Sequence, residues 1–126
     1  MEKQNEIGSI MEIILYVENM NRQVSFYSDK LGFKVVNPLD SDDYGNEFWV
    51  ELDTGTCSLA LHAGGKGRFG ADAPKFVFRV NDILAARQQL INQQVEMGEI
   101  RSAAPGVWVC DGADPEGNKF SIESHD

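Results

Sequence analysis

Apolar residues fall along this chain in short runs whose spacing changes twice from strand period to helix period and back. Residues 11–17 form an apolar run of strand length between polar neighbours. Asn19 can cap a helix, and Met20, Val24, Tyr27 and Leu31 recur at i, i+4, i+7 and i+11, one helical stripe. Gly32 follows, where a left-handed C-terminal cap belongs. Residues 33–37 read as a strand that Pro38 ends. Residues 47–52 and 56–62 flank Asp53-Thr54-Gly55 and predict a hairpin. After a glycine-rich stretch the pattern restarts. Residues 75–80 predict a strand, Asp82 a helix cap, Ile83, Ala86 and Leu90 a helical stripe, and 95–100 the next strand. A last hairpin is predicted from 106–110 and 119–123.

That hairpin encloses the most informative stretch, Asp114-Pro115-Glu116-Gly117-Asn118. Pro fixes φ and Gly or Asn accepts positive φ, so a sharp turn is expected. Beyond it Phe120 and Ile122 point to one face, Ser121 and Glu123 to the other. Ile14 matches Val77, Asn19 matches Asp82 and Met20 matches Ile83 at a constant offset of 63, an internal repeat. The expectation is an α+β fold of two βαβββ repeats, 11–63 and 74–124. They form one domain, 11–126, joined by a glycine-rich link at 64–73 and preceded by a disordered polar tail at 1–10.

Composition narrows the function classes. A net charge of −9 leaves no basic stripe to neutralise phosphates, which excludes nucleic-acid and anionic-membrane partners. Two distant cysteines, Cys57 and Cys110, indicate neither a zinc knuckle nor a disulfide framework. No run has membrane-span length or leader character, so a cytoplasmic protein is expected. Asp40, Asp42 and Asp43 lack the closing glutamate of a calcium loop. Gly65, Gly67 and Gly70 match a dinucleotide fingerprint, but a strand rather than a helix is expected after them, so the cofactor reading fails.

Tyr16-Val17-Glu18-Asn19-Met20 running into Ser25-Phe26-Tyr27 and Lys30-Leu31-Gly32-Phe33 carries a family resemblance. Arg79-Val80-Asn81-Asp82 and Asp114-Pro115-Glu116-Gly117-Asn118 carry it through the second half. The chain resembles the vicinal oxygen chelate superfamily: glyoxalase I, bleomycin- and fosfomycin-resistance proteins, and extradiol dioxygenases. The resemblance implies two sheets curled round a shared cleft, a small-molecule ligand and a homodimer. It also implies four metal-ligand places, which here hold Glu12, Ala60, Lys75 and Ser121. Alanine has no donor atom, and an ammonium where a cation would sit repels one. Lys75 is therefore expected to stand in for the metal. It is either balanced by Glu12 across the pseudo-twofold or separately solvated.

A second register moves two residues along each strand, to His62 and Glu123. With Glu12 these give one nitrogen and two oxygens, a set for zinc, nickel, manganese or iron. Two strand residues span about 6.6 Å, so the strands would have to slide for the three to converge. Trp49 and Trp108 are expected to furnish aromatic walls, and Arg68 of the link could close over an anion. The resulting expectation is a protein that binds a small organic molecule through Glu12, Trp49, His62, Lys75, Trp108, Ser121 and Glu123 without a metal. The alternative is a metal-dependent lyase, isomerase or dioxygenase using Glu12, His62 and Glu123, with Glu12 or Glu123 as base. A third class is a partner-binding domain with no ligand.

Overall fold

The computed structural model describes residues 10–66 and 74–126. The expected tail and most of the glycine link, with Arg68, lie outside them. In the first repeat, β1 (Glu12–Val17) leads into α1 (Met20–Val24), which continues as a π-helical turn over Ser25–Lys30. Then come β2 (Lys34–Asn37), a 3₁₀ turn at Tyr44–Asn46, β3 (Trp49–Asp53) and β4 (Ser58–Ala63). The second repeat gives β5 (Phe76–Arg79), α2 (Ile83–Asn92), β6 (Arg101–Ala104), β7 (Val107–Ala113) and β8 (Lys119–His125). Each repeat makes one mixed sheet, in the orders β1-β4-β3-β2 and β5-β8-β7-β6. In each, the first and last strands pair in parallel across the helix connection and the remaining pairs are antiparallel.

Strand alternation then sorts the side chains. Leu15 and Val17, Val50 and Leu52, and Leu59 and Leu61 turn to the helical side of the first sheet and are buried. Phe120, Ile122 and Cys110 do the same in the second. A single core joins these to Met20, Val24, Phe26 and Tyr27 of the first helix and to Ile83 and Leu90 of α2. The other face of each sheet lies outside this core.

Asn19 caps α1 by accepting from Arg22 N–H, and Asp82 caps α2 by accepting from Ala85 N–H, as their chemistry predicts. Gly32 has φ of +86° at the helix end, where a side chain would be strained. Met20, Val24 and Tyr27 of the helical stripe are buried as expected and Leu31 packs against the core, but the helix does not stay regular. Leu31 N–H reaches back to Phe26 O, a π-type closure that turns both Phe26 and Tyr27 inward. The strand expected at 95–100 is also displaced. That segment makes one bridge, Met97 to Gly112, and the ladder begins only at Arg101. Met97 lies so close over Gly112 that a Cβ there would stand 2.7 Å from its sulfur. The segment touches β7 only through this antiparallel bridge and the Gly98 N–H to Asp111 O bond at 2.8 Å.

Asp114 joins the two repeats. Its Oδ1 accepts from the backbone N–H of Glu116 and of Asn118, each at 2.9 Å, which shapes the turn. Its Oδ2 accepts from Asn118 Nδ2 at 2.9 Å, Gln23 Nε2 at 2.7 Å and Tyr27 Oη at 2.8 Å. The last two donors belong to the first repeat. Glu116 adds a second tie, accepting from the N–H groups of Glu18 and Asn19 at the start of α1. Burial, with the Asp114 charge beside it, pushes the Tyr27 hydroxyl far above its usual range, so it serves only as a donor.

Tyr27→Phe removes one donor to this buried carboxylate. It should lower unfolding stability by about 1.5–3 kcal/mol. Urea denaturation checks this, and an unchanged midpoint would show that the joint does not need the phenol.

Candidate functional site

Register places three rows on the open face of the first sheet. Tyr16, His62 and Trp49 form one, Ile14, Ala60 and Glu51 the next, and Glu12, Ser58 and Asp53 the third. The aromatic row is a real contact set: the His62 ring lies 4.7 Å from Tyr16 and 6.0 Å from Trp49, with exposed Phe48 also at 6.0 Å. His62 Nδ1 is 2.6 Å from the carbonyl of Ala63. A carbonyl can only accept, so Nδ1 carries the proton and Nε2 is the nitrogen left for a ligand.

The open face of the second sheet carries a different chemistry. Lys75 Nζ sits 3.0 Å from Asp111 Oδ1, and Arg101 Nη1 sits 2.8 Å from Asp111 Oδ2. Ser121, itself buried, donates its hydroxyl to Asp111 Oδ1 at 2.5 Å. Register explains the gathering, since Asp111 stands directly opposite Ser121 on β8 and Arg101 opposite Val109 on β6. The hydroxyl of Ser121 is the main cause that holds the Asp111 carboxyl down, to about 2, with Lys75 and Arg101 assisting against desolvation. Lys75 and Asp111 are each nearly half exposed, so solvent screens the pair and it adds little to stability. Its effect is positional. Lys75 is held over the sheet beside an open hollow of about 600 Å³ whose far wall is Thr54, Cys57 and Ser58.

The expected pairing of Lys75 with Glu12 is therefore corrected. The carboxylate that takes the amine is Asp111, one strand beyond the last-strand ligand place, and among the described residues no ion pair joins Lys75 to Glu12. Trp108 is corrected as well. It opposes Ser124 on β8, which puts it on the helical side with Cys110 rather than on the open face, and its indole N–H reaches Asp126 Oδ1 at 3.3 Å. Trp49 is on the open face as expected. Glu123 is too, but His125 Nε2 lies 2.6 Å from its Oε2. His125, Asp111 and Arg101 had no place in the sequence-based site. Asp111 was reachable, because counting back across the Asp114 turn pairs 111 with 121.

A divalent metal does not fit the four family places. Ala60 offers no donor, Lys75 offers a cation, and Ser121 has its proton committed to Asp111. The shifted set does not gather either. Among the described residues no three His, Cys, Asp or Glu side chains stand close enough to hold one ion within a single chain.

A sequence profile of the Glyoxalase/Bleomycin resistance protein/Dioxygenase superfamily matches residues 7–122. The chain belongs to this superfamily. Among curated protein sequences none matches it significantly. Solved structures do match, at identities that establish the fold alone. A glyoxalase family protein from Bacillus anthracis is 18% identical with a TM-score of 0.79, covering 98% of this chain and 100% of that one. TnmS3, an antibiotic binding protein from Streptomyces sp. CB03234, is 17% identical with a TM-score of 0.74, at 98% and 100% coverage. A lactoylglutathione lyase from Agrobacterium tumefaciens is 19% identical with a TM-score of 0.72, at 95% and 96% coverage. Among these structures, then, the fold is shared by a protein named as an antibiotic binder and one named as a lyase.

The depressed Asp111 carboxyl sets a pH window. The group is ionised in the folded protein down to about pH 2, whereas an unfolded aspartate protonates near 3.9. Its contribution is complete above about pH 4 and is lost as pH falls from there toward 2. Carboxyl NMR titration should give a midpoint near 2. Ser121→Ala, which removes the largest cause, should raise that midpoint toward the ordinary value; an unmoved midpoint would show that the cations alone hold it.

Proposed function

We propose that this protein binds a small organic molecule on its open sheet faces and does so without the superfamily metal. The observation that carries the reading is Lys75, held by Asp111 in one of the four ligand places while Ala60 leaves a second without a donor. The row of Tyr16, His62 and Trp49 supplies flat apolar surface with a few polar atoms, the usual make-up of a small-molecule site. Glu12, Glu51, Asp53 and Ser58 border it on the first sheet.

The metal-dependent alternative needs Glu12, His62 and Glu123 on one ion. His125 already engages Glu123, which weighs against that set in one chain. We also propose that two copies associate. Ile14, Tyr16, Phe48 and Val77 are exposed. The first sheet presents Glu12, Glu51 and Asp53 with Lys34, while the second presents Lys75, Arg79, Arg101 and Lys119 with Asp111 and Glu123. The faces are opposite in net sign, so the first of one copy suits the second of another. A site completed this way would sit between copies, in the cytoplasm, with the net charge of −9 keeping nucleic acid away. No helix among the described residues is long and apolar enough to cross a membrane.

Protein purified without added metal should carry sub-stoichiometric metal by elemental analysis and show no thermal shift with nickel, zinc, manganese or iron. A full equivalent of bound metal would reverse the reading in favour of the alternative. A library of small aromatic molecules should contain compounds that raise the unfolding midpoint. Such compounds should lose about tenfold in affinity on Trp49→Ala while keeping it on Trp108→Phe, because only the first indole is on the open face. Equal loss from both variants would move the site off this face.

The association has its own check. Sedimentation should give twice the 14.0 kDa chain mass. Charge reversal at Glu51 and Asp53 together should shift the mass to that of a single chain, and an unaltered dimer would remove these faces from the interface.

A further inference from the structure

On the reading that the open face of the first sheet holds the ligand, one atom decides what kind of molecule it takes. His62 stands on β4 between Tyr16 of β1 and Trp49 of β3, at the centre of the aromatic row. Its Nδ1 is tied to the Ala63 carbonyl at 2.6 Å, so that nitrogen carries a proton and the uncharged imidazole has its lone pair on Nε2. The same tie fixes the ring. Nδ1 is turned to the strand backbone, and Nε2, on the far side of the ring, is turned away from it. Among the described residues no donor reaches Nε2, not even the phenol of Tyr16, whose ring centroid is 4.7 Å away. Trp49 and Phe48 stand at 81° and 70° to the imidazole, so neither ring stacks flat on it. In the adjacent row Ala60 adds no polar side-chain atom, and the half-buried Glu51 carboxylate adds only acceptors.

An acceptor set among aromatic rings discriminates by what it leaves unpaired. A flat ligand lying against Tyr16, Trp49 and Phe48 would exclude water from Nε2. A ligand with an N–H or O–H at its edge replaces the lost water bond. One without a donor leaves the nitrogen desolvated and unpaired, which costs more than the bond itself contributes. An anion would face the same lone pair and the Glu51 carboxylate, and is repelled. Stacking alone makes no such distinction, because every aromatic ring offers a π face. We propose that His62 Nε2 is the specificity-determining acceptor of this face, which takes uncharged planar aromatic molecules bearing a ring N–H or O–H donor. Tyr16, Trp49 and Phe48 supply the ring contact, and His62 reads the donor.

Indole and benzothiophene are the probes, because they share one shape and differ in an N–H replaced by sulfur. NMR on the whole protein, with histidine nitrogens labelled, is run at about pH 8.5, above the ordinary imidazole range. In the free protein Nδ1 of His62 should give the resonance of a protonated ring nitrogen and Nε2 that of an unprotonated one. Indole should move the Nε2 resonance toward the protonated position, and benzothiophene should not. His62→Phe keeps a ring and removes the acceptor. In that variant the ratio of indole to benzothiophene affinity should fall about three- to tenfold, the loss of one hydrogen bond. Should the variant not fold, the nitrogen resonances still decide. An Nε2 resonance unmoved by bound indole, a proton on Nε2 in the free protein, an unchanged affinity ratio, or binding of neither probe would each overturn the proposal. Both probes binding with the ratio unchanged, and both lost on Trp49→Ala, would overturn it while leaving the open-face reading in place.

Discussion

A buried carboxylate with five donors around it is what makes the two repeats one protein. Asp114 is nearly inaccessible, and each of its oxygens is fully used: two bonds to Oδ1 and three to Oδ2. A charge so buried without partners would cost several kcal/mol, so the donors are a condition of folding and not an addition to it. Three of them come from the turn itself, which fixes the turn. The other two come from Gln23 and Tyr27 of the first helix, which fixes where the repeats meet. Gln23 is itself fully buried, so the joint has no loose partner to give way first.

This joint gives a physical reason for two widely separated motifs. Phe26-Tyr27 before Leu31-Gly32-Phe33 and Asp114-Pro115-Glu116-Gly117-Asn118 are two sides of one contact. The π-type turn that brings both Phe26 and Tyr27 inward lets one ring pack on Phe120, at 5.9 Å, while the other donates to Asp114. Regular α-helical spacing sets consecutive residues 100° apart, at opposite edges of a core-facing stripe, whereas here both rings are buried. The odd helix and the tight turn therefore constrain each other. Both lie on the helical side, so the motifs identify the architecture and are silent about the chemistry on the open faces.

Much of the fold could be read from the chain because alternation and caps are local. The parities of Leu15 and Val17 or Phe120 and Ile122, and the caps Asn19 and Asp82, depend on nearby residues alone. The displaced strand at 95–100 could not be, because its course is set by Met97 lying over Gly112, a contact across 15 residues that no local pattern signals. At the candidate site Trp108 and Asp111 were misplaced for a third reason, the register across a turn. Pairing across the Asp114 turn puts 111 opposite 121 and 108 opposite 124, which assigns Asp111 to the open face and Trp108 to the other. The expectation that Lys75 would face Glu12 relied on symmetry between the repeats. The nearest opposite charge lay within its own sheet.

That last point bears on how such a site can change its chemistry. None of the four ligand places takes part in the Asp114 joint, and only Ala60 and Ser121 among them are buried. The core does not require a particular donor at any of the four. A lysine at one of them is tolerable only if something local accepts its charge, and Asp111 does so while Ser121 and Arg101 fix Asp111 in turn. With two cations and one anion, the cluster keeps a net positive charge on the sheet while each member has a partner. A dication brought to that place would face Lys75 at close range and would have to take Asp111 from it and from Arg101. Lys75, Asp111 and Arg101 thus oppose a dication at that place, and they do so without touching the contacts that hold the fold together.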